Sequence, residues 1–273
     1  MTPEEIKERI KEQFASILKA GQETEISGIE EDSYGHSAGT PFEEWVKSRL
    51  TDNGWIVYYP NEFVVKLCQR IDRRQNLIEV LRENWWSSLL VRREQINDCI
   101  AGKRVGRWQQ EGADLVLLYG DDLLRDSESV ILLNVKSHNI IRKSRPPNIM
   151  SGQRLLQFFH EILVKRGYKT KLERLEIWFI GIGYVVENSN ALIQEVYVKD
   201  LFKLDASKIP QINFDAAIQI QWHVKDMVEK DQSKTEFIRD LCKTFLMQWK
   251  KHAKNKEEKY IKLVTEIDQI LSK

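Results

Sequence analysis

With 273 residues, 42% of them hydrophobic and 30% charged, the chain can bury one large core and has neither a disordered nor a fibrous composition. A net charge of +1 and a pI near 7.7 exclude a uniformly basic nucleic-acid binder, so a polyanionic partner would have to be met by local charge. Three cysteines, Cys68, Cys99 and Cys242, lack metal-ligand spacing and read as reduced cytosolic thiols. No apolar run reaches membrane-spanning length and the first residues read as a charged helix rather than a signal peptide, so the expected location is the cytoplasm, with no membrane partner.

In chain order, Thr2-Pro-Glu-Glu5 is a capping box with proline at the first helical position, and Ile6, Ile10, Phe14 and Leu18 follow at helical spacing up to Gly21. That apolar stripe needs a partner, either its own core or a second subunit. The segment 22–34 is acidic and turn-rich. Thr40-Pro-Phe-Glu43 opens a second helix by the same rule, with Phe42, Trp45, Val46 and Leu50 facing inward and Glu43 as the reciprocal member of the box. Asp52-Asn-Gly54 is a turn and Trp55–Tyr59 a strand. From Phe63 to Ile100 the pattern is mainly helical. There Arg70, Arg73, Arg74, Arg82, Arg92 and Arg93 lie near Glu79, Glu83 and Glu94 and read as a solvated, paired face, while Trp85 and Trp86 read as core.

The next stretch carries chemistry. Ala113-Asp114 opens an apolar run to Tyr119; a polar loop follows with Gly120, Asp121, Asp122, Asp126 and Glu128; then Val130-Ile-Leu-Leu-Asn134-Val-Lys136 forms a second run. Two short apolar runs bounded by turn residues predict a buried hairpin, which brings Asp114 and Lys136 to one end of a sheet. A carboxylate beside a lysine at a strand end suits metal-assisted attack on a phosphodiester. The plainer alternatives are an aspartate that caps a turn and a solvated lysine. Lys103, Arg104 and Arg107 precede the first strand and would flank such a site. Between Lys136 and His160 there is no acidic residue, yet Arg142, Lys143, Arg145 and Arg154 are present, an uncompensated positive segment fit for a polyanion.

Ser151 to Lys165 reads as a helix with Leu155, Leu156, Phe158 and Phe159 buried and a structural His160. Leu175–Val186 and Leu192–Val198 flank Glu187-Asn-Ser-Asn190 as a second hairpin. Asp200 to Leu204 is a short helix or turn. Asn213 to His223 alternates, with Gln219, Gln221 and His223 on one face; either this is an ordinary half-exposed strand, or Asn213 and Gln219 offer amides suited to adenine. Ser233-Lys-Thr-Glu236 is a third capping box, opening a long helix through Phe237, Leu241, Phe245 and Trp249. Beyond Lys250 the chain is lysine-rich, and Tyr260, Ile261, Val264, Ile267 and Leu271 restore a stripe that can pack on the first helix, on a partner subunit, or along DNA.

Three co-linear blocks resemble the HincII-type restriction endonucleases of the PD-(D/E)xK superfamily: Gly35-His-Ser-Ala-Gly-Thr-Pro-Phe-Glu43, Ala113-Asp114 through Pro147-Asn148-Ile149, and Asn213 through His223. The resemblance implies an α/β fold with a restriction-endonuclease-like core, a mixed central β-sheet flanked by helices, and long N- and C-terminal helices. It implies one domain over 1–273, with an N-terminal helix and loop (1–34), a nuclease core (35–232) and a C-terminal helix (233–273). It further implies a type II site-specific deoxyribonuclease that binds double-stranded DNA as a homodimer, uses Mg2+, and is accompanied by a cognate DNA methyltransferase in a prokaryotic cytoplasm. Asp114 would hold the metal, Lys136 would orient water or stabilise the phosphorane, and Glu43 would make a minor metal or water contact. Arg107, Arg142, Lys143, Arg145, Pro147, Asn148, Asn213 and Gln219 would meet DNA.

The chain departs from that pattern at two places. Asn134 stands where the family has an acid and would take the second ligand position without a charge. Arg145 stands where the family has an intercalating glutamine, so the target sequence is not inherited unchanged. Asn134 leaves two other readings open, a repair or recombination nuclease of the same fold and a DNA-binding protein that does not cut.

Overall fold

The computed structural model describes residues 1–21, 24–29, 36–63, 66, 113–119, 130–141, 146–167, 172–215 and 218–271. Strands β1 (Glu25–Ser27), β2 (Ile56–Tyr58), β3 (Leu115–Leu118), β4 (Val130–Asn139), β6 (Glu176–Glu187) and β7 (Asn190–Asp200) form a six-stranded sheet in the order β1-β7-β6-β4-β3-β2. The predicted first hairpin is β3 against β4, in register Leu115↔Leu133 to Leu118↔Val130. The second is β6 against β7, closed by Asn188 (φ 51°) and Ser189 (φ 62°), the left-handed pair a two-residue hairpin turn requires. β4 runs parallel to β6 and every other pairing in this sheet is antiparallel, so the sheet is mixed.

The strands read as continuous apolar runs because each face of the sheet meets its own core. On one face Leu115, Leu117, Ile131, Leu133, Val135, Trp178, Ile180 and Ile182 pack with α1 (Pro3–Ala20) through Ile6, Ile10 and Phe14, and with α2 (His36–Asp52) through Phe42, Trp45, Val46 and Leu50. On the other, Val116, Leu118, Val130, Leu132, Ile177 and Phe179 pack with α3 (Gly152–His160) and with the start of α4 (Lys234–Leu271). Helices thus lie on both sides, and α1 buries its stripe in its own chain. The capping boxes at Thr2 and Ser233 form as predicted: Glu5 N donates to Thr2 Oγ1 at 3.3 Å and Thr2 N to Glu5 Oε2 at 2.7 Å, and Glu236 N donates to Ser233 Oγ at 3.2 Å.

Four expectations are corrected. α2 begins at His36, a turn before Thr40, so Pro41 lies inside the helix and Thr40 is not its N-cap. β4 continues past Lys136 to Asn139, because β6 offers it a parallel partner up to Tyr184. The segment 213–223 is two strands rather than one: β8 (Gln211–Asn213) and β9 (Gln219–Gln221) pair with each other, and β9 pairs with β5 (Asn148–Ser151) in a separate three-stranded sheet. The helix from Gly152 widens into a π-turn over Glu161–Lys165. The readings made for 22–23, 30–35 and 67–112 lie outside the described residues.

Gly181 is the glycine the packing needs. A Cβ there would lie 2.5 Å from Val224 Cβ, so its absence lets the 3-10 turn Val224–Asp226 sit directly on the sheet beside Lys136.

Far from that point, at the start of β6 and the end of β7, charge is buried. Lys7, 3% exposed, lies 3.1 Å from Glu229, and Lys234 lies 2.7 Å from Glu176. Asp200, 6% exposed, has its pKa pushed up from 3.8 to about 6, first by burial and then by the Glu176 carboxylate, against the Phe202 N–H that it accepts at 2.9 Å. The folded chain therefore holds this proton more tightly than the unfolded chain. Stability from Asp200 is fully present below about pH 4 and is lost as pH rises through 6. An asparagine keeps the acceptor for Phe202 without the charge. Asp200→Asn is expected to stabilise the protein at pH 8 by about 1–3 kcal/mol in urea denaturation, with the difference shrinking toward zero at pH 4.

Candidate active site

Asp114 stands just before β3, beyond the last pair of the ladder, Leu115↔Leu133, and its N–H donates to Leu133 O at 2.8 Å. Alternate residues of one strand share a face, so Asn134 and Lys136 stand on one side of the sheet, and the ion pair with Lys136 brings the Asp114 carboxylate to that side. Asp114 Oδ2 accepts from Lys136 Nζ at 3.0 Å and from the Val135 N–H at 2.7 Å. The second bond satisfies a ladder donor left over where β3 ends, so Asp114 also does the capping work of the plainer alternative. Asp114 is 3% and Asn134 5% exposed, and the Lys136 side chain is 18% exposed, which leaves the ammonium as the group nearest solvent. Among the described residues Asp114 Oδ1 accepts no hydrogen bond, so one carboxylate oxygen is available to a ligand.

The smaller sheet gathers residues from two distant stretches. Asn213 pairs with Gln219, which pairs with Ser151; Gln211 pairs with Gln221, which pairs with Asn148. Gln221 Nε2 donates to Asn148 Oδ1 at 2.9 Å and the Trp222 N–H to Pro147 O at 3.2 Å. Asn148, Asn213 and Gln219 therefore belong to one small sheet, with Pro147 bonded just beyond its edge, while Asn213 Oδ1 also accepts from the Asp215 N–H at 3.0 Å. Ile218 holds φ at 50°, a strained value for a β-branched residue, and its carbonyl accepts from the Gly152 N–H at 2.8 Å. Arg107, Arg142, Lys143, Arg145 and the loop acids Asp121, Asp122, Asp126 and Glu128 lie outside the described residues.

Glu43 is 5% exposed and lies in α2, whose apolar side covers the opposite face of the sheet from Asp114, Asn134 and Lys136. One residue that the sequence reading passed over does stand beside the site. His138 follows Lys136 on the same face of β4, is 8% exposed, and meets His223 edge-on with ring centroids 5.8 Å apart. His138 Nε2 and His223 Nδ1 are buried with no hydrogen-bond partner among the described residues. Burial, followed by Lys225 and His223, lowers the His138 pKa, which keeps this ring neutral near pH 7. Period-two spacing from Asn134 and Lys136 would have flagged it, had the strand been read as far as Asn139.

Among the described residues no three His, Cys, Asp or Glu side chains converge as a ready-made metal site. Magnesium asks for less, since it keeps several waters and is held by one or two carboxylates together with substrate phosphate oxygens. The Asp114 carboxylate and the Asn134 amide oxygen are hard oxygen donors, Asn134 lying between the two residues whose backbone Asp114 bonds, and they fit it in kind with one negative charge.

A mixed sheet that presents an acid and a lysine on adjoining strands defines a nuclease-like core. Residues 26–267 match the family described as restriction endonuclease HincII, and the chain belongs to that family of type II restriction endonucleases. It is 24% identical over 234 residues to the type II restriction enzyme HindII of Haemophilus influenzae strain Rd, a match covering 84% of this chain and 86% of the relative. The same figures hold for the type II restriction enzyme HincII of Haemophilus influenzae. Among solved structures, the NlaIV restriction endonuclease aligns over 76% of this chain and 89% of its own at 12% identity and a TM-score of 0.32, a likeness too slight to add to the assignment. The resemblance read from the three sequence blocks is thus borne out. No described helix is long and apolar enough to cross a membrane.

Proposed function

We propose that this chain makes site-specific double-strand cuts in a palindromic DNA sequence by Mg2+-dependent phosphodiester hydrolysis. The observation that carries this reading is the Asp114–Lys136 ion pair at 3.0 Å, with Asn134 between the two residues whose backbone Asp114 bonds, Leu133 and Val135, inside a chain of the HincII family. Asp114 and the Asn134 amide would hold the metal, which supplies Lewis-acid stabilisation of charge on the phosphate. Lys136, released from Asp114 as substrate binds, orients the attacking water and offsets the charge that builds on the pentacovalent phosphorus. The small sheet of Asn148, Asn213 and Gln219, together with Pro147 and with Arg107, Arg142, Lys143 and Arg145, meets the duplex, arginines on phosphate or guanine and amides on adenine.

A two-fold homodimer suits a palindromic target, with one subunit cutting each strand. The chain is one domain, and a cognate methyltransferase protects the host sites in the prokaryotic cytoplasm where both act. Asn134 favours a second reading, a protein that binds its site without cutting, because it removes one charge from the metal site. Digestion of phage genomic DNA with magnesium separates them. Discrete bands are expected. An uncut genome together with a sequence-specific gel shift would replace the nuclease with the binding protein, and nicking confined to branched DNA would point to repair.

A further inference from the structure

The strand that carries Lys136 meets the segment leaving the small sheet at two histidines. His138 stands two residues beyond Lys136 on β4, and His223 stands two residues beyond β9, where it opens the turn Val224–Asp226 that rests on Gly181. Their rings lie 5.8 Å apart between centroids, with planes at 63°. Each ring keeps one nitrogen, His138 Nε2 and His223 Nδ1, buried without a hydrogen-bond partner among the described residues. Buried polar atoms are nearly always paired, and an exception calls for a cause. Two aliphatic side chains would fill the same space with nothing left unpaired, so packing does not account for the histidines.

The nearest carboxylate is already taken. Gly183 pairs with His138 on one side and Glu195 on the other, and a Cβ there would lie 3.2 Å from His138 Cε1 and 2.9 Å from Glu195 Oε2. That oxygen accepts from Tyr197 Oη at 2.8 Å, while His138 Nε2 stays unbonded. Lys225 and Asp226 of the turn are the other charges that bear on the ring. What remains to each histidine is the other. A neutral imidazole has one N–H and one bare nitrogen, so the two unbonded atoms can serve as donor and acceptor to one another. Burial, then Lys225 and His223, lower the His138 pKa, so its neutral form is the one present near pH 7. An N–H···N bond sets two ring centres roughly 5 Å apart, and these rings stand slightly farther apart than that. Resting on the nuclease reading proposed above, we infer that His138 and His223 are positioning residues for cleavage: when duplex engages the small sheet, β9 and its turn carry His223 onto His138, the N–H···N bond closes, and β4 is held with Lys136 against the scissile phosphate.

The test compares single-turnover cleavage with duplex affinity measured while metal is withheld, on a duplex bearing the site mapped from the phage digest. His138→Leu removes both ring nitrogens and nearly keeps the volume. It is expected to melt no lower than the wild type, to bind the duplex within about threefold, and to cut about tenfold to a hundredfold more slowly. His223→Leu is expected to do the same, and the double variant no worse than either, because the two share one contact. His138→Gln, whose amide nitrogen reaches about as far as the imidazole Nε2, is expected to regain most of the rate. NMR of the histidine ring nitrogens should show His138 Nε2 and His223 Nδ1 moving to hydrogen-bonded shifts when duplex is added without metal. Leucine variants that cut at the wild-type rate, or that slow only as far as affinity or stability falls, would overturn the inference and leave the nuclease intact. Slowing at His138 alone, with His223→Leu indifferent, would also overturn it, since His138 would then act on the reacting atoms by itself. Should a leucine variant fail to fold, the glutamine variant and the wild-type NMR titration decide, and signals unmoved by duplex are equally overturning. A wild type that cuts no DNA would overturn this inference and the nuclease reading together.

Discussion

Placing a carboxylate at position 134 (Asn134→Asp) is expected to lower the magnesium concentration needed for half-maximal DNA cleavage by about tenfold or more. The reason is charge. In the proposed metal site Asp114 alone is charged, and a carboxylate at position 134 would bring a second negative charge. The same substitution has an opposite effect on the metal-free protein. Residue 134 is 5% exposed and lies between the two residues whose backbone Asp114 bonds, so a second buried carboxylate there is repelled by the first, with Lys136 as the nearby counter-charge. Without metal, Asn134→Asp should lose about 1–3 kcal/mol of stability at neutral pH, and magnesium should return it. Thermal melts with and without magnesium read this independently of cutting. A variant whose melting point ignores magnesium would show that position 134 is not a metal ligand, and discrete digestion by the asparagine form alone would show the amide to be the working donor.

Lys136→Ala is expected to reduce single-turnover cleavage at least about a thousandfold, because it removes the ammonium that pairs with Asp114 in the proposed site. It also strips Asp114 of its ion-pair partner at 3.0 Å while leaving that carboxylate 3% exposed and bonded to the Val135 N–H. Loss of one member of a buried pair is costly, and the partial exposure of the lysine moderates it, so about 1–3 kcal/mol of stability should be lost. Urea denaturation of the metal-free protein measures that term separately. Cleavage that survives the substitution would assign water activation to another group, and His138 on the same strand face would be the first to test.

Much of the site was legible because strand periodicity is strict. Two apolar runs bounded by turn residues gave the β3–β4 hairpin, and an acid at the start of one with a lysine near the end of the other had to meet at one end of the sheet. Capping boxes at Thr2 and Ser233 were legible for a similar reason, since they are closed within four residues. The end of β4 was not. A strand continues as long as a neighbour pairs with it, and the neighbour that carries β4 to Asn139 lies across a parallel crossover. His138 was missed with it. The burial of Lys7 was not read, because the carboxylate that makes it possible, Glu229, is distant in the chain.

The order of residues alone settled which segments are apolar, where turns and caps fall, and that Asn134 and Lys136 share a strand face, since each of these follows from neighbours a few positions away. Tertiary structure alone decided that β5, β8 and β9 join Asn148, Gln219 and Asn213 in one small sheet, that α2 covers the face opposite Asp114, and that the last helix carries its stripe beyond the body of the protein. Those are outcomes of long-range pairing and burial, in which a side chain's partner is chosen by the folded surface around it rather than by its place in the chain.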